Sequence, residues 1–249
     1  MNKPIMSRNV LILGAHSDIA RAIAHQYAQE GAKLILAARN SKRLEADVSD
    51  LGIRYHVQAD IVEFDALAYT DHLTFYESLS VKPDLVFCVF GYLGQQEVAE
   101  KEWSQAKEIL EVNFLGAASV LHHIANDMES RKEGIIVGIS SVAGERGRAS
   151  NYLYGSGKAG FTALLSGLRN RLVKSGVHVL TVKPGFVATA MTEEMDLPPL
   201  LTSTPEKVAR DIKKAVRKQK NVLYTKWMWR YIMLVIRHIP ESIFKKLSL

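Results

Sequence analysis

Residues 9–31, "NVLILGAHSDIARAIAHQYAQEG", give the clearest indication of the fold. Its apolar run at 9–14 predicts a buried strand that ends at Gly14. From Ser17 onward, apolar residues recur at helical spacing until Gly31, which predicts a helix. A strand, a glycine turn and a helix in direct succession are typical of the first βα unit of a parallel sheet.

The same alternation of short apolar runs and amphipathic stretches continues along the chain. We predict further strands at 33–39, 53–60, 84–91, 134–141 and 177–185, and helices at 42–50, 63–80, 98–129 and 152–175. This pattern predicts an α/β fold, a Rossmann-like doubly wound parallel sheet in a single domain. We assign residues 1–224 to this dinucleotide-binding domain and residues 225–249 to a C-terminal amphipathic extension of helical character.

Composition excludes several classes of protein. The chain has 249 residues, of which 47% are hydrophobic and 23% are charged, as in ordinary globular proteins. One cysteine excludes an internal disulfide and a multi-cysteine metal site, and the eight histidines lack metal-ligand spacing, so no metal is expected. No apolar run has signal-peptide or membrane-spanning length, so we expect a cytoplasmic location.

The positive charge is concentrated near the C-terminus. From Lys207 to Leu249 there are twelve basic residues and two acidic ones, whereas the whole chain has a net charge of +6. Within this region, "WMWRYIMLVIRHIPESIFKKL" (227–247) is too apolar to be a nucleic-acid surface. Three interpretations remain open for it: a substrate lid, a subunit contact, or a peripheral contact with the inner membrane surface.

The first turn of the sheet is the expected site for a pyrophosphate, because helix N-terminal N–H groups face it. Gly14 allows the tight turn, and His16 could supply a further hydrogen-bond donor. Asp18 replaces the usual middle glycine, so we expect its carboxylate to point to solvent or to cap the helix with Ser17. The predicted cofactor contacts in this turn are Gly14, His16, Ser17, Asp18 and Ile19.

The ends of the second and third strands bear on the choice of cofactor. The second ends "LAARN", with no acidic side chain for a ribose 2′-hydroxyl, and Arg39 there suits a 2′-phosphate. NADP(H) is therefore favoured over NAD(H), although Arg39 could also be a surface residue. Asp60, with Ile61 beside it, is placed to reach the adenine, and its alternative role is that of a helix N-cap.

The segment "NYLYGSGKAG" (151–160) carries a candidate acid/base pair. Tyr154 and Lys158 are four residues apart, so they share one face of a helix. An ammonium group there would favour the ionised phenol and lower its pKa. The alternative is an ordinary surface pair.

Other motifs give this pair a context. "ISS" ends the fifth strand, "EVNFLG" lies in the preceding helical stretch, and Pro-Gly ends strand six before "FVATAMT". Over residues 9 to about 192 the chain resembles the short-chain dehydrogenase/reductase family. The resemblance implies a catalytic tetrad of Asn113, Ser141, Tyr154 and Lys158. Tyr154 would be the general acid, Ser141 would bind the substrate oxygen, Lys158 would hold the nicotinamide ribose, and Asn113 would anchor a water.

The resemblance also extends to the cofactor site and to assembly. It implies NADP(H) contacts from Gly91, Pro184, Gly185, Val187 and Thr189, and a homodimer or homotetramer. Two departures stand out: the glycine-rich turn keeps Gly14 alone, and the sequence after strand four reads "CVFG", keeping only Gly91.

Three segments, 89–94, 140–161 and 230–247, are similar to reductases that epimerise a polyprenyl-phosphoryl ribose together with a flavin-dependent oxidase. This similarity implies reduction of the 2′-keto group of a lipid-linked pentofuranose, with a flavin-dependent oxidase as partner. Arg146 and Arg148 could bind the phosphate, or lie in a solvated loop. The alternatives are a general carbonyl or 3-oxoacyl reductase acting on a small-molecule ketone, and a non-catalytic, cofactor-sensing protein.

Overall fold

Seven parallel strands form one sheet at the centre of residues 8–247, the part of the chain that the computed structural model describes. The strands are β1 (Asn9–Leu13), β2 (Lys33–Ala38), β3 (Ala59–Glu63), β4 (Leu85–Cys88), β5 (Ile135–Ile139), β6 (His178–Pro184) and β7 (Val222–Thr225). Their order is β3-β2-β1-β4-β5-β6-β7. The direction of winding reverses beside β1, which opens a crevice at the carboxyl ends of β1 and β4. The predicted fold class is confirmed.

Helices cover both faces of the sheet. They are α1 (Asp18–Ala28), α2 (Glu45–Tyr55), α3 (His72–Glu77), α4 (Gln96–Ala99), α5 (Trp103–Leu110), α6 (Gly116–Arg131), α7 (Tyr152–Leu172), α8 (Pro205–Arg217), α9 (Met228–His238) and α10 (Glu241–Phe244). In β1, Val10 and Ile12 pack in a core with α1, α2 and α8, whereas Leu11 and Leu13 face α3, α6 and α7. The alternation of side chains along each strand therefore builds two hydrophobic layers.

The predicted third strand at 53–60 is wrong in position. Residues up to Tyr55 complete α2, which ends at His56 in the left-handed conformation with φ of 55°. The strand then runs over Ala59–Glu63, and the predicted helix at 63–80 shortens to a 3₁₀ turn and α3. Of the alternating apolar residues there, Ile53 is 73% exposed, whereas Tyr55, Val57 and Ala59 are partly buried against the core.

The long helix predicted at 98–129 is broken into α4, α5 and α6. A π-helical segment, Glu111–Leu115, joins α5 to α6 and holds Asn113. Such a bulge is common at functional sites because it turns one side chain out of the regular helical register. Strand β7 and helix α8 were not among the predicted elements.

The C-terminal segment folds back onto the sheet domain. Strand β7 extends through Thr225, so the predicted division at 224 falls inside it, and the extension consists of α9 and α10. The outermost residues of the two predicted units, 1–7 and 248–249, lie outside the described residues. Across positions 8–247, no helix combines the length and apolar character needed to cross a bilayer.

Candidate active site

The turn after β1 is shaped to receive an anion. Gly14 has φ of +85°, and a β-carbon there would lie 2.6 Å from the backbone nitrogen of Phe90, so only glycine fits. Ser17 caps α1 by accepting a hydrogen bond from the Ala20 N–H at 3.1 Å. The first turn of α1 therefore faces the crevice with N–H groups that can bind a pyrophosphate.

Asp18 has a role that the sequence analysis did not predict. Its carboxylate accepts a hydrogen bond from the Ala190 N–H at 2.9 Å, while Ser17 is the residue that caps α1. This bond joins the phosphate turn to the loop after β6, 172 residues away in sequence. The carboxylate that replaces the usual middle glycine is therefore paired with a backbone N–H group.

Two adjoining cavities form a continuous cleft along the carboxyl ends of the strands. Their volumes are about 230 Å³ and about 470 Å³, and both are lined by His16, Ser17, Val89, Gly91 and Met191. The smaller one is further lined by Gly14, Ala38, Arg39, Phe64, Asp65, Ala66, Phe90, Tyr92, Glu108 and Val112. The larger one is further lined by Asp18, Ile19, Arg21, Arg43, Ile139, Ser140, Ser141, Tyr154, Lys158, Pro184, Gly185, Val187, Thr189, Ala190 and Thr192. The cleft is chemically suited to a dinucleotide, because the cleft joins an anion-binding turn to a polar floor.

Arg39 and Arg43 provide cations at the outer end of the cleft. Both side chains are exposed, and each lines one of the two cavities. The Arg39 carbonyl also accepts a hydrogen bond from His16 at 2.9 Å, which fixes the end of β2 against the phosphate turn. Sequence reasoning missed Arg43, because Arg39 lies in the turn after β2 and no helical spacing relates the two residues.

Glu63 lies beside the backbone that joins Arg39 to Arg43. Its two carboxylate oxygens accept hydrogen bonds from the Asn40 and Ser41 N–H groups, each at 2.8 Å. These bonds lower the pKa of Glu63. The backbone at 40–41 is therefore an anion-binding turn filled by a side chain of the protein itself.

Asp60 and Ile61 do not reach the cleft. They pair with Ile35 and Leu36 in the middle of the β2–β3 ladder, because β3 begins later than predicted. Asp60 instead accepts a hydrogen bond from Gln58 at 3.3 Å. The residues that line the cleft after β3 are Phe64, Asp65 and Ala66.

Tyr154 and Lys158 lie one turn apart on α7 at the floor of the larger cavity. The Lys158 Nζ is 5.6 Å from the centre of the Tyr154 ring and donates a hydrogen bond to the Ile139 carbonyl at 3.1 Å. Ser141 follows β5, where its Oγ accepts a hydrogen bond from the Ala143 N–H at 3.1 Å. The Ser141 hydroxyl is also hydrogen-bonded to the Tyr154 hydroxyl, so the two groups face the same point of the cavity.

Asn113 is held at the same floor by the π-helical segment. Its amide nitrogen donates to the Tyr92 and Ile109 carbonyls at 2.6 Å and 2.8 Å, and its oxygen accepts from the Tyr92 N–H at 3.3 Å. A β-carbon on Gly91 would lie 2.9 Å from the Asn113 Oδ1 and 3.0 Å from the Lys158 Nζ. Gly91 therefore lets these two polar groups converge, and the water assigned to Asn113 stays a prediction.

Burial sets the protonation of the tyrosine–lysine pair. It raises the pKa of Tyr154 to about 12, although a hydrogen bond with Ser141 acts in the opposite direction. It lowers the pKa of Lys158 to about 8. In the protein alone, loss of hydration is the larger effect on the phenol, and the lowering of its pKa by Lys158 stays a prediction. Both groups are protonated at neutral pH.

Helix α9 packs directly on the loop that follows β6. A β-carbon on Gly185 would lie 2.0 Å from the Trp229 indole, so only glycine admits this ring. Phe186 meets the same indole edge to face at 5.2 Å, and Trp229 donates a hydrogen bond to the Leu201 carbonyl at 3.1 Å. The segment containing Val187 and Thr189 therefore has a wall that the C-terminal extension provides.

Arg146 anchors this extension and is not free to bind phosphate. It donates to the Ile236 and Ile239 carbonyls at 2.5 Å and 2.7 Å, pairs with Glu241 at 2.8 Å, and stacks 3.6 Å from the centre of the Phe244 ring. Both earlier interpretations of Arg146, a phosphate ligand and a solvated residue, are wrong. Arg148 packs its guanidinium 3.5 Å from the Met233 sulfur.

A buried ion pair connects the loop after Ser141 to strands β6 and β7. Glu145, 4% exposed, pairs with Lys183 at 2.7 Å and accepts a short hydrogen bond from the Tyr224 hydroxyl. Because Lys183 precedes Pro184 and Glu145 lies on the loop after Ser141, this pair fixes two edges of the cavity relative to each other. The sequence carried no signal for it, because the partners are 38 and 79 residues apart.

Comparison with known proteins places this site in a family. The sequence profile of the short chain dehydrogenases matches residues 8–198. An uncharacterized oxidoreductase of Mycobacterium tuberculosis is 34% identical over 241 residues, covering 96% of each chain. Serine 3-dehydrogenase of Agrobacterium fabrum is 30% identical over 190 residues, covering 75% of each chain.

Solved structures share the fold. A short-chain dehydrogenase from Sphingobium yanoikuyae in complex with NADPH has a TM-score of 0.81 at 20% identity, covering 95% of this chain and 98% of its own. A short chain dehydrogenase from Burkholderia cenocepacia in complex with NADP has a TM-score of 0.82 at 17% identity, covering 99% and 100%. Taken with the match over residues 8–198, the chain belongs to the short-chain dehydrogenase/reductase family.

Proposed function

We propose that the protein is an NADPH-dependent reductase that converts a ketone to a secondary alcohol. The observation that carries this proposal is the placement of Ser141, Tyr154 and Lys158 around one cavity that continues into the anion-binding turn at Gly14. A phenol, an ammonium group and a serine hydroxyl on one floor are what a carbonyl oxygen needs when it takes up negative charge.

The residues present fit a bound NADP(H). The turn from Gly14 to Ser17 and the start of α1 would hold the pyrophosphate, Lys158 the nicotinamide ribose, and the segment 184–189 the carboxamide. When bound, the cofactor supplies the hydride that adds to the carbonyl carbon.

The protein's own groups supply the proton and the charge stabilisation. Ser141 donates a hydrogen bond to the carbonyl oxygen, which stabilises the charge developing there. Tyr154, which is protonated at neutral pH, gives its proton to the same oxygen as general acid. Lys158, held by the Ile139 carbonyl, places a positive charge beside the phenolate that results and stabilises it.

NADP(H) is the cofactor that the outer end of the cleft favours. Arg39 and Arg43 present two guanidinium groups there, and guanidinium binds a phosphate through paired hydrogen bonds. The structural relatives from Sphingobium yanoikuyae and Burkholderia cenocepacia carry NADPH and NADP respectively. The Glu63 carboxylate is hydrogen-bonded to the backbone N–H groups of residues 40 and 41. A 2′-phosphate bound there would have to coexist with this second negative charge.

For the substrate we propose the 2′-keto group of a polyprenyl-phosphoryl pentofuranose, produced by a flavin-dependent oxidase partner. This rests on the resemblance of 89–94, 140–161 and 230–247 to reductases of that kind. The structure supports it in one respect: all three segments contribute to, or pack against, the walls of one cleft. The alternative is a general carbonyl or 3-oxoacyl reductase, and the protein would act as a homodimer or homotetramer in either case.

The decisive experiment follows NADPH absorbance with candidate ketones, with and without a flavin-dependent oxidase that generates the keto-sugar. Tyr154→Phe is expected to abolish turnover and to leave NADPH binding, measured by fluorescence titration, unchanged. Tyr152→Phe, on the same helix and 41% exposed, is the matched control and should keep full activity. Turnover in Tyr154→Phe would refute the assignment, and NADPH binding without turnover of any ketone would favour a cofactor-sensing protein.

A further inference from the structure

The outward face of α9 is apolar although its side chains are exposed in the described part of the chain. Trp227, Tyr231, Leu234 and Val235, here called the α9 stripe, are 72%, 58%, 52% and 65% exposed. Their spacing places them on one side of the helix. The opposite side already packs on the domain through Trp229 and Met233, which are 4% and 0% exposed. The α9 stripe is therefore a second apolar face, separate from the one that packs on the domain.

Positive charge borders the α9 stripe. At 100° per residue, Arg230 and Arg237 lie along one edge of it, and both are exposed; the Arg237 guanidinium also lies 3.9 Å from the Glu145 carboxylate. Beyond α10, Lys245 and Lys246 are exposed beside Ile243 and Leu247, which are 53% and 43% exposed. The acidic residue of this segment, Glu241, is already paired with Arg146 at 2.8 Å. An approaching surface thus meets aromatic groups with cations around them.

We propose that the α9 stripe and the lysines after α10 dock the protein on an anionic lipid bilayer. Indole and phenol rings are the side chains that prefer the boundary between headgroups and acyl chains. Arginine and lysine at the edge of an interfacial helix reach the lipid phosphates while their stems stay apolar. Because the other side of α9 is anchored to the domain, the helix lies in the plane of the surface.

The charge pattern distinguishes a bilayer from a second copy of the chain. Pairing two α9 stripes about a twofold axis would bring together the arginine edges of both copies if the helices are antiparallel, or their lysine clusters if the helices are parallel. Like charges brought together in this way oppose association. An anionic surface satisfies the same cations without that repulsion.

Docking would also fix the orientation of the cleft. Trp229 lies on the opposite side of α9 from the α9 stripe and contacts the loop at Gly185 and Phe186. Gly185 lines the larger cavity, so the helix whose outer side faces lipid packs with its inner side against one wall of that cavity. This inference concerns location and does not depend on the reaction proposed above.

The test is flotation of the full-length protein with vesicles of phosphatidylcholine alone and of phosphatidylcholine with about one third phosphatidylglycerol. We expect binding to the anionic vesicles, weakened by salt. The double substitution Lys245→Gln and Lys246→Gln should lower the partition coefficient onto anionic vesicles about 25-fold, because each lost charge lowers it about fivefold. Trp227→Ser with Tyr231→Ser should lower it at least about tenfold. Trp103→Ser, which removes a tryptophan 69% exposed on α5, is the matched control and should bind as the unmodified protein does.

A second measurement locates the inserted residue. In a Trp103→Phe background, lipids brominated near the headgroup should quench the fluorescence of Trp227, and further substitution of Trp227 by Phe should remove that quenching. The proposal is overturned if the anionic vesicles do not bind the protein, or if the paired aromatic substitution leaves binding unchanged. It is equally overturned if sedimentation velocity shows self-association that the same paired substitution abolishes while vesicles bind nothing.

Discussion

Replacing Lys158 with methionine is expected to stabilise the fold while it abolishes catalysis. The lysine is 3% exposed, and burial lowers its pKa from 10.5 to about 8. At about 1.36 kcal/mol for each pH unit, keeping the ammonium group charged in this position costs about 3 kcal/mol. Methionine has a similar length without the charge but forfeits the hydrogen bond to the Ile139 carbonyl, worth about 1 kcal/mol. The expected net gain is about 2 kcal/mol at pH 7.

The pH dependence makes this reasoning testable. Because the pKa of Lys158 is lower in the folded protein, the unfolded chain binds more protons between about pH 8 and 10.5. The stability of the unmodified protein should therefore rise through that window, and the advantage of Lys158→Met should disappear by its upper end.

Urea denaturation at pH 7 and at pH 10.5 measures both free energies of unfolding. At neutral pH the melting temperature of the variant should rise by about 4–8 °C. Lys174→Met, at an exposed position after α7, is the control and should change stability by less than about 0.5 kcal/mol. A loss of stability in Lys158→Met at pH 7, or a difference from the unmodified protein that does not vary with pH, would refute the argument.

Two further predictions concern cofactor affinity, measured by fluorescence titration. Arg39→Ser should weaken NADPH binding about 10- to 100-fold by removing a charged hydrogen bond and should leave NADH binding unchanged; equal losses for both cofactors would contradict the role of Arg39. Asp18→Asn keeps an oxygen that can accept from the Ala190 N–H but removes a negative charge from the phosphate turn, so NADPH should bind more tightly. Weaker binding in that variant would show that the charge itself is needed to hold the loop after β6.

The sequence pattern was sufficient for the architecture but not for every boundary. Buried strands such as β4 and β5 are short, continuous apolar runs, and the helices between them are amphipathic, so their type was predictable. Around Ile53 the local alternation imitated a strand, whereas the left-handed residue His56 ends a helix there. Strand β7 is four residues long and only partly buried, so its pairing with β6 could not be read from hydrophobicity.

In the site, the predictable residues are those whose role follows from local spacing. Tyr154 and Lys158 share a helix, and Gly14 and Ser17 share a turn. The contacts of Asp18, Glu145 and Trp229 join segments that are distant along the chain. Only the assembled sheet brings them together, and no local pattern marks them.

The opposite effects of burial on Tyr154 and Lys158 determine which of the two groups responds to pH. An isolated phenol and an isolated ammonium lose their protons at nearly the same pH, but here the values separate to about 12 and about 8. The Tyr154 phenol therefore remains protonated throughout the physiological pH range, and Lys158 is the first of the pair to lose its proton. Once it does, a phenolate formed at Tyr154 would lose the positive charge that stabilises it. The alkaline limit of reduction should thus belong to Lys158, even though Tyr154 is the residue that gives the proton.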